Sequence, residues 1–107
     1  MEKNDYHDKE ITGVFYDKEK KKLTFYFADK GDLSFNNIIQ FELNFFSDQN
    51  VLFDIEIYTM NNVPKILLKD YPFLSNYHNN RNNHLIIYYL NPSIGISGII
   101  ITDDKTL

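Results

Sequence analysis

The chain has 107 residues and a mass of 12.7 kDa, and is 43% hydrophobic and 16% aromatic by residue, enough for one ordinary globular domain with a core and too little for two. Its formal charge of −4 and pI near 5.2 make free nucleic acid and anionic membrane surfaces poor partners for the whole molecule. It contains no cysteine, which excludes disulfides, thiolate chemistry and cysteine metal sites.

Met1-Glu2-Lys3-Asn4-Asp5 is charged and lacks the apolar run of a signal peptide. No apolar run approaches the roughly 20 residues needed to span a bilayer. A soluble cytoplasmic protein is expected. The first strands are expected at residues 10–16 and 22–28. In the second, Leu23, Phe25 and Phe27 share one face, and Thr24 and Tyr26 the other. Asp17-Lys18-Glu19-Lys20-Lys21 joins them as a solvated hairpin tip, its interleaved acids arguing against a phosphate site. Asp29-Lys30-Gly31-Asp32 is the next turn.

The most regular alternation follows. In residues 34–46, Phe35, Ile39, Phe41, Leu43 and Phe45 are apolar at odd positions, with Gln40, Glu42 and Asn44 between them. In residues 50–58, Val51, Phe53, Ile55 and Ile57 repeat the pattern around Asp54 and Glu56. If residues 47–49 turn the chain, the two strands pair, setting Glu42 opposite Asp54 and Gln40 opposite Glu56. Like charges so placed destabilise a sheet by a few tenths to roughly 1 kcal/mol. Yet no lysine or arginine lies between Lys30 and Lys65, and residues 36–60 carry four acids and no base.

This reads as a surface built to meet something positive. Glu42, Asp54 and Glu56 stand at its centre and Asp32 and Asp48 at its ends. Tyr16, Tyr26 and Tyr58 have outward parity, and exposed tyrosine suits a protein interface. A solvated edge that resists aggregation accounts for the same acids. Edges more often use lysine or mixed signs, so both readings stay open.

Pro64 suits the first turn of a short helix through Ile66, Leu67, Leu68 and Asp70, although a strand fits the same residues; Pro72 ends either one. Residues 76–83 form an asparagine-rich polar loop. Residues 84–90 and 96–102, joined by Asn91-Pro92-Ser93-Ile94-Gly95, are apolar on both faces and belong in the middle of a sheet. The fold class is mainly β, an antiparallel β-sandwich or strongly bent sheet of about six strands with room for one short helix. The expected core is Phe25, Phe27, Phe41, Leu43, Phe45, Phe53, Ile55, Leu85, Ile87 and Ile100.

Catalytic chemistry finds little support. His7, His78 and His84 are the histidines, and none has a partner that spacing can place. No serine sits in a strand–turn–helix elbow, and the four glycines form no phosphate cradle. The expectation is a single non-enzymatic domain over residues 1–107, with no cofactor, no metal and no contact with nucleic acid or membrane.

Phe41-Glu42-Leu43-Asn44-Phe45-Phe46, followed by Gln49-Asn50-Val51-Leu52-Phe53-Asp54-Ile55, resembles small β-rich immunity proteins of bacterial toxin–immunity systems. Asn91-Pro92-Ser93-Ile94-Gly95-Ile96-Ser97-Gly98 before an isoleucine-rich strand adds to it, and the chain is similar in particular to immunity proteins of contact-dependent growth inhibition. The resemblance covers about half the chain and rests on scaffold features, so no functional residue carries over. It implies a cytoplasmic protein that binds one cognate toxin domain and blocks it, many such toxins being nucleases with basic clefts. The alternatives are a small adaptor or ligand-binding β-sandwich, and an enzyme using Glu42, Asp54 and Glu56 as acid, base or metal ligands.

Overall fold

In the computed structural model, which describes residues 6–77 and 84–103, the chain forms two antiparallel sheets. Strands β1 (Ile11–Asp17), β2 (Lys22–Phe27) and β3 (Asp32–Phe35) make a three-stranded meander. Strands β4 (Ile38–Asn44), β5 (Val51–Thr59), β6 (Ile86–Ile94) and β7 (Ser97–Thr102) make a second sheet in the order β4-β7-β6-β5. Between β5 and β6 come helix α1 (Lys65–Asp70), opened by Pro64, and a 3₁₀ turn (Pro72–Tyr77). The expected antiparallel β-sandwich with one short helix is what forms, with seven strands among the described residues. Helix α1 ends just before Pro72, as expected, and Pro72 then opens the separate 3₁₀ turn.

Two buried clusters hold the layers. Between the sheets, Phe35 packs edge-on against Phe25, with centroids 5.9 Å apart, and tilts against Tyr88 at 4.9 Å. Leu23, Ile55, Leu90 and Ile100 join them. On the other side of the four-stranded sheet, Leu67, Tyr71 and Leu74 from the helical segment cover Ile87, Ile99 and Ile101. The strands read as apolar on both faces are thus the two central ones, and every residue of β7 is buried.

The expected hairpin of residues 34–58 does not form. Its first half splits at Asn37, whose φ of 55° lies in the left-handed region that asparagine tolerates better than most residues. Residues before the split join the three-stranded sheet, and residues after it become β4. Strand β4 pairs with β7, and β5 with β6, so Glu42 faces Ile99, Gln40 faces Ile101, Asp54 faces Asn91 and Glu56 faces Tyr89. Among the described residues no acids oppose one another across a strand pair.

Two inward assignments and one outward one fail for local reasons. Phe45 follows the end of β4 with φ of 64° and is 79% exposed. Phe53 is the extra residue of a β-bulge, since β5 advances two positions between Leu52↔Pro92 and Asp54↔Asn91 while β6 advances one. Leu52 therefore turns inward with Ile55, and Phe53 is left 49% exposed. A register shift between Ile11 and Gly13 does the converse in β1, swinging Tyr16 inward onto Phe41 with centroids 4.9 Å apart. Phe41 and Leu43 pack against the core half-buried; Phe25, Phe27, Ile55, Leu85, Ile87 and Ile100 are buried as expected.

Phe35→Ala should cost about 3–5 kcal/mol in denaturant unfolding, whereas Phe53→Ala should cost less than about 1, in keeping with their different burial. Gly98 lies against β4, where an added Cβ would crowd the Glu42 carbonyl and come 2.7 Å from Leu43 Cδ2. Gly98→Ala should therefore cost roughly 1–3 kcal/mol by prising β4 from β7; an unchanged unfolding midpoint would contradict this packing.

Candidate functional site

The outer face of the four-stranded sheet is the one that the helical segment only partly covers. Strand parity and register arrange it in rows. Glu42, Ile99, Tyr89 and Glu56 form one row across β4, β7, β6 and β5, and Gln40, Ile101, Ile87 and Tyr58 form the next. The helical segment sits over the second row, where the Tyr77 hydroxyl donates to Gln40 Oε1 at 2.6 Å. Glu42 stands on one sheet margin, with Asp54 and Glu56 on the other. Three strand spacings of about 4.8 Å separate the margins, roughly 14 Å in all.

The acids at the two margins are held differently. Glu42 is exposed and accepts a hydrogen bond from Asn44 Nδ2 at 3.0 Å. Asp54 and Glu56 are half-buried; Asn91 Nδ2 donates to Asp54 Oδ1 at 3.2 Å, and the Tyr58 hydroxyl donates to Glu56 Oε1 at 2.6 Å. A fourth carboxylate, Asp70, ends α1 and shares with Asp54 and Glu56 the surroundings of the Tyr89 hydroxyl. Among the described residues, no lysine, arginine or histidine lies within 4.0 Å of Glu42, Asp54, Glu56 or Asp70.

The other expected site residues go elsewhere. Asp32 pairs with Tyr26 in the three-stranded sheet, on the outer face of the opposite layer. Asp48 is exposed in the connection between β4 and β5, which crosses the end of the sheet. That crossing is fastened by Asn50, buried among its partners. Its Oδ1 accepts from the Ser47 and Ile96 amides at 2.9 and 3.0 Å, and its Nδ2 donates to the Ser47 carbonyl at 2.7 Å. With the crossing so held, Phe45 and Phe46 are presented to solvent. A phenylalanine with left-handed φ costs about 1–2 kcal/mol, and such strain is retained where surrounding structure enforces it.

Beside the acids a cleft of about 370 Å³ opens between Asn44, Phe45, Asp70, Tyr71, Tyr89 and Ser97. Of these, Asp70, Tyr71 and Tyr89 were not singled out by sequence pattern, because Asp70 lies in a stretch of balanced charge and the two tyrosines lie in apolar runs. A tyrosine within an otherwise aliphatic central strand was the available signal, since a buried ring carries a hydroxyl that needs an outlet. Burial pushes the Tyr89 hydroxyl pKa up, reinforced by Tyr71, Glu56, Asp70 and Asp54 around it.

The histidines form no common site among the described residues. Exposed His7 donates from Nδ1 to the Phe53 carbonyl at 2.6 Å, the carbonyl being able only to accept, and its ring meets Phe53 edge-on. His84 lies 2.9 Å from Asp103. His78 and the loop through Asn83 lie outside the described residues. Among the described residues no three His, Asp or Glu side chains converge as a metal site, and no helix is long and apolar enough to cross a membrane. No protein-family model, curated protein or solved structure matches the chain.

Tyr58 offers a test of the Glu56 margin. Burial and then the hydrogen bond to Glu56 push its pKa from 10.0 to about 12. The folded protein therefore holds this proton more tightly than the unfolded chain does. That contribution to stability is fully present below pH 10 and is lost as pH rises through about 12. In a near-ultraviolet titration, Tyr58→Phe should remove part of the late-ionising absorbance, and Glu56→Gln should bring the Tyr58 step down. A titration that neither variant alters would contradict the contact.

Proposed function

We propose that the protein is an immunity protein, cytoplasmic and non-catalytic, that binds and neutralises a cognate toxin domain of nuclease type through the outer face of its four-stranded sheet. The observation that carries this reading is the set of four carboxylates, Glu42, Asp54, Glu56 and Asp70, gathered on one face without a cation within 4.0 Å among the described residues. A nuclease cleft is lined with cations that hold phosphates, and a rigid array of carboxylates around an apolar centre offers such cations the same charge. The resemblance to immunity proteins points the same way. Compared with the surface expected from sequence, the interface loses Asp32 and gains Asp70 and Phe45, while Asp48 stays at its end and Tyr58 acts as support for Glu56.

An acid-driven interface associates fast and depends steeply on salt. The test is Glu42→Lys with Asp54→Lys, assayed against the C-terminal domain of the toxin encoded by the neighbouring reading frame. The expected result is a folded protein whose association is slowed and whose affinity falls by about 2–5 kcal/mol for each acid that is desolvated in the complex, with protection of cells lost. A double variant that folds, binds as tightly as wild type and still protects would overturn the reading and leave the acids as a solvated margin.

A further inference from the structure

The carboxylates alone do not say what chemical group they receive, but the cleft beside them does. Tyr89 of β6 and Ser97 of β7 form its floor, Asp70 and Tyr71 at the end of α1 form one wall, and Asn44 and Phe45 at the end of β4 the other. At about 370 Å³ it is at the small end of ligand pockets. The rings of Tyr71 and Tyr89 pack against each other edge-on, with centroids 6.4 Å apart and planes inclined by 63°, and Tyr71 is buried, so of the two it is the half-buried Tyr89 that can offer its ring to a group in the cleft. Phe45, exposed and held in a left-handed backbone, sets a third ring at the rim.

Asp70 is the one carboxylate in the lining. It is exposed, it has no cation within 4.0 Å among the described residues, and it ends a helix, where a negative charge is unfavourable. Lys65 and Lys69 on the same helix do not reach it. Tyr71 and Tyr89 also help to close the core, but neither the exposed Asp70 carboxylate nor the exposed Phe45 ring is needed for that. Together they describe a receptor for something flat, cationic and rich in N–H groups.

We propose that the cleft seats a single guanidinium group, an arginine side chain on the partner protein's basic surface. Asp70 and the Asn44 side-chain carbonyl accept its N–H groups, and the rings of Tyr89 and Phe45 cover its plane. A guanidinium suits this site better than an ammonium because it is planar, is weakly hydrated and stacks on aromatic rings. The inference rests on the reading of the acidic face as a protein interface and names the group that anchors it.

The test is an NMR titration of the full chain with N-acetyl-arginine amide, N-acetyl-citrulline amide and N-acetyl-lysine amide. Citrulline keeps the shape and loses the charge. The arginine probe should shift the amides of Asn44, Phe45, Asp70, Tyr71 and Tyr89 with millimolar affinity. Citrulline should bind at least about tenfold more weakly, and Asp70→Asn should weaken the arginine probe about fivefold or more without altering the fold. Equal binding of citrulline or lysine, or an Asp70→Asn variant that binds arginine unchanged, would overturn the proposal. Micromolar binding of free L-arginine would instead make the cleft a receptor for the amino acid and overturn its assignment to a partner side chain. Titration of the toxin domain separates this proposal from the immunity reading. If the cleft takes the arginine probe but the toxin domain does not bind, the immunity reading and with it the partner source fall, and a guanidinium site remains. If the toxin domain binds Asp70→Asn and Phe45→Ala with wild-type affinity, the interface stands and the cleft is not its anchor.

Discussion

Strand β7 is covered on both faces and paired along both edges, and the rest of the four-stranded sheet takes its place from that. Ile99 and Ile101 meet the helical segment on one side and Ile100 meets the sandwich interior on the other, so the strand has no face for water. A strand of that kind needs a neighbour on each edge. Strand β6, apolar over most of its length, takes one edge, and half-polar β4 takes the other. Half-polar β5 is then left for the far margin. The acids are driven to the two borders of one face by the apolar strands between them.

That placement changes the electrostatics. Margins roughly 14 Å apart are farther than the Debye length of about 8 Å at physiological ionic strength, so Glu42 barely feels Asp54 and Glu56. The face can therefore carry unpaired carboxylates at little cost to the free protein, and a partner would gain from them without first relieving a repulsion. The aromatic end is held with equal economy. Asn50 satisfies three polar contacts at one buried side chain and so fixes the chain that carries Phe45 and Phe46. Groups already fixed in a binding pose lose less entropy when they bind.

Much of this was legible in the residues. Period-two patterning located the strands, double-sided apolarity placed β6 and β7 at the centre, and Pro64 marked the start of the helix. Parity also put Glu42, Asp54 and Glu56 on a common face, although through a pairing that does not exist. The misreading came from joining neighbours in sequence, when two strands apolar on both faces already required half-polar partners outside them. Side chains at Phe45 and Phe53 were misplaced because a left-handed residue and a bulge each reset the alternation, and neither leaves a mark in hydropathy. The cleft was out of reach for a different reason. Asp70, Tyr89 and Asn44 come from three separate elements, and only the fold brings them together.

The order of the strands along the chain has a temporal consequence. Strand β4 is made early, but its ladder partner among the described residues, β7, is also the last strand among them. A chain synthesised as far as β6 can form the meander and the β5–β6 pair, while Glu42 and Asn44 have no sheet to belong to. Closing the long loop from Phe41 to Ile100 is then an entropic bottleneck, of the sort that makes sheets with distant pairings slow to fold. The outer face of the four-stranded sheet has no half-built form: it comes into being when β7 docks between its neighbours, and not before.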